Sequence, residues 1–478
     1  MENSGKYRNG VQMSLFEIDE CGLGSQTVKG MDVYHTGSGR VREEWLSRCR
    51  EERALTEDLM SEVTSLPNLT ASLKRVVSNG GSAGVDEMSV KELRSWFGSN
   101  YKELIRQLET NSYGVSQIRG VKIPKPKGGH RQLGIPTAKD RMVQQAVHQV
   151  MEQRYDPTFS EFSYGFRKGK GTRPCLRQAC TYVREGYRYI VDIDIANFFD
   201  EVNHDRLMWM LRRRIGDRTL LKLINKFLKS GILEGGLSSQ RTKGTPQGSP
   251  LSPLLSNIVL DELDKELERR GLRFVRYADD LIIFAGSQKA AQRIMRTVSK
   301  FIEGRMKLKV NKDKSGIRRP QELNFLGHSI IGKGELGLSK PSLQRLKYKL
   351  REKTRRNRGI SLAQMVKEVN SILSGWLNYF KEAKMKGKLE VIMSWLRRRI
   401  RCFRLKQCKR AIGIARFLRK LGIPEWRSWL LALSSKGWYH KSNTPQANEG
   451  MNLQWFASIG LFDIYAYYCS KLMKPPST

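Results

Sequence analysis

The sequence is short of acid and short of anything that would cross a membrane. It holds 47 Asp and Glu against 86 Lys and Arg, a formal net charge of +39. No apolar run reaches the roughly 20 residues that a bilayer demands, and the opening MENSGKYRNG has no apolar signal-like region. The seven cysteines (Cys21, Cys49, Cys175, Cys180, Cys402, Cys408 and Cys469) form no CxxC pair and no even framework. They read as reduced thiols, mostly core filler, in a cytoplasmic protein. Internal repeats and low-complexity tracts are missing as well. What is present is length: 478 residues can bury more than one core, so two to four domains are expected. A positive excess this large points to an extended polyanion, and with no membrane expected, nucleic acid is the leading partner.

The charge is unevenly spread. Residues 1–60 carry 8 basic and 11 acidic side chains, residues 61–332 carry 47 and 28, and residues 333–478 carry 31 and 8. The first segment is rich in Gly and Ser to about Arg40 and then turns helical, so it reads as a partly disordered extension. The last segment interleaves basic runs with six of the nine tryptophans, from Trp376 to Trp455. Its apolar residues recur at helical spacing, as in SLAQMVKEVNSILSGWLNYF. Such helices can lie along phosphate backbones, although the tryptophans are more often core than stacking platforms.

The middle segment carries the chemistry. Leu272 to Gly286 (LRFVRYADDLIIFAG) reads as strand, tight turn, strand, with Asp279 and Asp280 at the tip. Adjacent carboxylates between buried strands repel each other and lose solvation, and a hard divalent cation compensates both costs. Upstream, Tyr189 to Ile195 (YIVDIDI) alternates with period two, which puts Asp192 and Asp194 on one face and Val191, Ile193 and Ile195 on the other. Beside the hairpin, this strand completes a carboxylate cluster suited to two metals about 3.5–4 Å apart, the arrangement used for in-line phosphoryl displacement. Each feature alone also fits a solvated turn or a half-buried edge strand.

Together the motifs resemble those of reverse transcriptases. YADD at 277–280 is similar to their YxDD, DIANFFD at 194–200 to their first aspartate motif, and GTPQGSPLSPLLSNIVLDELD at 244–264 to their PQGxxxSP segment. IPKPKGGHRQLGIPTAKDRMVQQA (123–146) and FSEFSYGFRKGKGT (159–172) resemble the fingers motifs. LKVNKDKSG (308–316) and LNFLGHSI (323–330) resemble the two motifs that follow YxDD. Within the family the chain is most similar to the proteins encoded by group II introns, of a class C-like kind without an appended endonuclease domain. NLTASLKRVVSNGGSAGVDEMSV (68–90) resembles their N-terminal block, ILSGWLNYF (372–380) their thumb, and the basic run from Arg397 their DNA-binding end, with Cys408 standing where Trp is expected.

The resemblance implies an α/β right-hand polymerase: fingers and an antiparallel palm sheet over 61–332, an α-helical thumb or maturase domain over 333–400, and a small helical DNA-binding domain over 401–478. It implies catalysis by Asp194, Asp279 and Asp280 with Mg²⁺, the metal ligands being Asp194, Asp279 and the carbonyl of Ile195. Phe199 corresponds to the steric gate against a ribose 2′-hydroxyl. Lys125 and Arg131 correspond to the triphosphate grip, Gln247 to the nucleotide pocket, and Lys314 to a proton donor for pyrophosphate, although a plain strand-end lysine is the stronger reading there. The partners implied are an RNA template, with group II intron RNA the leading one, a DNA primer or target, and deoxynucleoside triphosphates. The expected activity is RNA-directed DNA synthesis with assistance to intron splicing. The alternatives are a host-adopted enzyme of phage defence or DNA repair, and a splicing factor with a vestigial polymerase.

Overall fold

The computed structural model describes residues 58–124, 130–234 and 237–472. Lys125 and nearly all of the expected N-terminal extension lie outside them. The described chain begins at helix Leu59–Thr64, whose Leu59 and Met60 are buried and whose Met60 amide donates to Asp217 at 2.6 Å. The expected boundary at 60/61 therefore falls inside a helix that is already part of the core.

Among the described residues ten strands form three sheets. β1 (Ile118–Pro124), β2 (His130–Ile135), β4 (Ile232–Glu234) and β5 (Leu237–Ser239) make an outer sheet in the order β2-β1-β4-β5, with β1 and β4 parallel and the other pairs antiparallel. β3 (Tyr189–Asp194), β6 (Arg273–Tyr277), β7 (Asp280–Ala285) and β8 (Gly316–Arg318) make a central, wholly antiparallel sheet in the order β6-β7-β3-β8. β9 (His328–Ile331) and β10 (Glu335–Leu338) form a separate hairpin.

Both faces of the central sheet are covered, and period-two alternation sorts its side chains between two cores. Val191, Ile193 and Ile195 join Phe274, Leu281 and Ile283 beneath helices Ser252–Arg269 and Gln288–Gly304. Ile190, Val275, Ile282 and Phe284 pack against Cys175, Leu176 and Ala179 of helix Thr172–Arg184. Asp192 and Asp194 continue the Ile190 side of β3 and remain half-buried. One face of one strand is thus core at its beginning and carboxylate at its end.

Beyond β10, helices Lys340–Lys353, Leu362–Phe380 and Lys386–Gln407 share a second core. Met365, Val366, Val369, Leu373, Leu377 and Phe380 are buried along one stripe, as the spacing of that segment predicts. Helix Lys386–Gln407 runs unbroken through the expected 400/401 boundary, and Phe456, Leu461, Ile464 and Tyr468 return to complete the same core. A smaller cluster around Leu405, Leu418, Leu431 and Met451 closes the C-terminal end. Trp376, Trp395 and Trp455 flank these cores, whereas Trp426 is 70% exposed.

Candidate active site

Strand register assembles the acidic cluster. Asp194, the last residue of β3, lies directly opposite Asp280, the first of β7, and Asp279 precedes Asp280 at the hairpin tip. The turn is tight: Tyr277 pairs with Asp280 across it, and Ala278 adopts a left-handed φ of 57°. From below it is closed by Gly165, where a Cβ would stand 2.2 Å from the Ala278 nitrogen. Only a residue without a side chain lets these two backbones approach so closely.

A buried polar network holds the hairpin. Arg276, 1% exposed, forms an ion pair with the fully buried Asp264 through Nε at 2.7 Å and Nη2 at 2.5 Å. It also donates to Asn257 Oδ1 at 3.1 Å, Ser163 Oγ at 2.8 Å and the Ala278 carbonyl at 2.9 Å. Asn257 in turn donates to the Gly165 carbonyl at 2.9 Å. The guanidinium is satisfied on every side, the condition under which a buried ion pair fixes geometry instead of merely costing desolvation. Sequence reasoning did not find this network. The arginine next to YADD was visible, but its side-chain partners lie 12 to 113 residues away.

The carboxylates crowd one another. Asp280 has its pKa pushed up to about 7, first by loss of water on its protein side, then by the charges of Asp279, Asp194 and Asp192. Its side chain still reaches solvent at the strand end. Asp192 is also raised, by burial, and accepts a 3.0 Å bond from Arg318 Nε. That pairing gives Asp192 a cation of its own. Lys314 Nζ stands 3.3 Å from both oxygens of Asp194, and the Asp194 amide donates to Ser315 Oγ at 3.0 Å. Lys314, largely exposed, is thus ion-paired with Asp194.

The other described candidates lie on segments linked by backbone hydrogen bonds. Phe199 is half-buried, edge-on to the buried Phe198 at 5.4 Å, and its carbonyl accepts from the Thr245 amide at 2.6 Å. Gly244, at φ 85°, makes this packing possible, because a Cβ there would come within 2.9 Å of the Phe199 and Asp200 carbonyls. Gln247 is half-buried and its carbonyl accepts from the Gly134 amide at 2.9 Å, which ties the PQG loop to β2. The backbone of Arg131 pairs with Ile123 on β1. Ile195 is buried at the end of β3, its main chain bridged to Val310.

The donor set suits a hard divalent cation. A lysine already sits on Asp194, and the mutual repulsion that raises Asp280 is what such an ion relieves. Among the described residues no three His, Cys, Asp or Glu side chains form a ready-made cage. A divalent ion held here would draw on these carboxylates, with backbone and substrate oxygens completing its shell.

Comparison with known proteins agrees with this geometry. Residues 123–330 match the family model for reverse transcriptase (RNA-dependent DNA polymerase), and residues 343–422 match that for the group II intron maturase-specific domain. Protein YkfC of Escherichia coli K12 is 32% identical over 291 residues, 52% of this chain and 76% of that one. The group II intron-encoded protein LtrA of Lactococcus lactis subsp. cremoris is 31% identical over 297 residues, 48% of this chain and 49% of LtrA. Nuclear intron maturase 3, mitochondrial, of Arabidopsis thaliana is 29% identical over 229 residues, 41% of this chain and 31% of the plant protein. The chain thus spans three quarters of the first relative, about half of the second and about a third of the third.

Proposed function

The chain belongs to the reverse transcriptases of the group II intron type, and from that premise we propose that it copies group II intron RNA into DNA with Mg²⁺ and assists splicing of that RNA. The cross-strand pairing of Asp194 with Asp280 at the foot of the Asp279 turn carries the proposal. It puts the carboxylates of two distant motifs at one strand end, beside Phe199 and the PQG loop.

Asp194, Asp279 and the carbonyl of Ile195 would hold the metal ions, with Asp280 completing the acidic centre. Bound there, the ions supply charge neutralisation for the triphosphate and a lowered pKa for the primer 3′-hydroxyl. The chain's own groups do the rest. Phe199 fills the space that a ribose 2′-hydroxyl would need, so the sugar is chosen by bulk. Arg131 and Lys125 grip the triphosphate, a task suited to the fork of an arginine. Gln247 borders the nucleotide pocket. Lys314 moves from Asp194 to the departing pyrophosphate and gives it a proton. The helices after β10 bind RNA, and the end of the chain binds the DNA target, in a nucleic-acid-associated protein of the cytoplasm.

The maturase-specific match over 343–422 favours the intron reading over a host-adopted defence or repair enzyme. The three carboxylates that converge at one strand end argue against a vestigial polymerase. The test is primer extension on an RNA template with deoxynucleotides, after chelation and then with Mg²⁺ restored. RNA that co-purifies with the protein is sequenced from the same preparation. Extension that depends on Mg²⁺, together with bound intron RNA, is expected. A protein that extends no primer overturns the polymerase reading, and extension with no intron RNA bound overturns the intron reading.

A further inference from the structure

The clearest cavity in the described residues lies far along the chain from the aspartates, between the end of helix Lys340–Lys353, the loop after it, the middle of helix Lys386–Gln407 and the short helix Trp438–Lys441. It measures about 610 Å³ and is lined by Arg351, Thr354, Arg355, Arg356, Arg399 and Tyr439, among others. That volume is within the range of pockets that enclose small organic ligands, roughly 300–1,000 Å³.

The charge in this cavity is uncompensated. Arg358 at its edge pairs with Glu368 at 2.8 Å, but among the described residues no carboxylate pairs with Arg351, Arg355, Arg356 or Arg399. Arg399 is half-buried, and its Nε donates to Thr354 Oγ1 at 2.6 Å while Nη2 donates to the Arg351 carbonyl at 3.1 Å. It is anchored in place, then, with its charge disfavoured first by burial and then by the nearby Arg351 and Arg356. Like charges are gathered here against their own repulsion, and a bound anion is the ordinary compensation. The wall offers a second kind of recognition. Tyr439 is 44% exposed, and Arg398 lies over its ring at 3.8 Å. An aromatic ring backed by a guanidinium plane is the surface on which an unstacked base rests.

We propose that this cavity is a binding site for one unpaired nucleotide of the RNA partner, its phosphates on Arg351, Arg355, Arg356 and Arg399 and its base against Tyr439. A continuous helix presents its phosphates along a ridge and keeps its bases stacked inside, so it cannot fill a recess of this kind. A bulged or looped nucleotide can. RNA is favoured over DNA because every lining residue except Tyr439 falls within 343–422, the segment that matches the maturase-specific model. The inference rests on the intron reading given above.

The test uses the full chain and three labelled probes of one sequence: an RNA hairpin with a single-nucleotide bulge, the same hairpin fully paired, and a single-stranded DNA. The wild-type protein is expected to prefer the bulged hairpin about tenfold. Arg355→Gln/Arg356→Gln changes two exposed side chains without disturbing the core, and Tyr439→Ala removes the stacking wall. Each should erase that preference, and the double variant should lower the slope of log affinity against log salt by about 1 to 2. Equal weakening on bulged and paired hairpins would mean a general basic surface and overturn the site. Single-stranded DNA bound as tightly as bulged RNA, and lost equally, would overturn the assignment to RNA. Primer extension by wild type is scored alongside. If it succeeds while the variants bind like wild type, the pocket is wrong and the polymerase reading stands; if it fails, the premise itself has failed.

Discussion

The central sheet and the C-terminal helices treat charge in opposite ways. At the sheet, like charges are forced together by register, and a buried network under the hairpin keeps them there: Arg276 is enclosed by Asp264, Asn257, Ser163 and the Ala278 carbonyl. In the helices, positive charge is spread over exposed side chains and around one open cavity, with few acids to answer it. Rigid packing is needed where two or three oxygens must stand within an ångström of the right place. It is not needed where the partner is a flexible polyanion whose phosphates can adjust. The first region therefore tolerates almost no substitution, and the second loses affinity in small steps.

The sharpest break would come from the carboxylates. Asp279→Ala or Asp280→Ala should lower DNA synthesis at least about a thousandfold, since each removes charge stabilisation from the phosphoryl-transfer site. The same proteins should bind RNA as well as wild type or slightly better, because the cleft becomes more positive. Undiminished synthesis in the Asp279→Ala protein would remove the catalytic assignment. A fall in RNA affinity would show that the two regions do not divide the work.

Next in size is the support under the hairpin. Arg276→Met leaves Asp264 buried without its cation, at a cost of about 3–5 kcal/mol in stability. Denaturant unfolding measures that loss. A change of less than about 1 kcal/mol would mean the pair is replaceable and the rigidity comes from packing alone.

Sugar choice should respond more mildly. Phe199→Val removes bulk and no ligand, so ribonucleotide use should rise roughly tenfold with deoxynucleotide use nearly unchanged. Unaltered discrimination would return Phe199 to the hydrophobic core that it also touches.

The smallest effect is on pH dependence. A carboxyl whose folded pKa is raised binds its proton more tightly folded than unfolded. Its contribution to stability is therefore complete below the ordinary carboxylate range and lost as pH rises toward about 7. Metal-free protein should show a shallow fall in Tm between about pH 4 and 7, and none from this group above it. Asp280→Asn should flatten that fall, and so should saturating Mg²⁺. A slope that persists in Asp280→Asn belongs to other groups.

Much of the site was legible before any coordinates. Period-two alternation placed Asp192 and Asp194 on one face, and the strand, tight turn, strand pattern placed Asp279 and Asp280 at the hairpin tip, because strand geometry leaves side chains few choices. The helical stripe from Met365 to Phe380 was equally readable. Other features were not. Nothing local says that Arg318 will claim Asp192 and leave Asp194 to Lys314, since two segments some 120 residues apart must meet before those distances exist. The 400/401 boundary followed from the resemblance of the basic run beginning at Arg397, whereas the backbone passes through it as one helix.

The sequence by itself determined the alternation of strands, the order of motifs and the excess of positive charge, all of which follow from residues close together in the chain. Tertiary structure alone decided the register that sets Asp194 against Asp280, the burial of Arg276 with Asp264, and the gathering of Arg351, Arg356, Arg399 and Tyr439 around one cavity. Those depend on long-range packing, in which each contact forms only after many others have excluded water. No window of sequence contains that information.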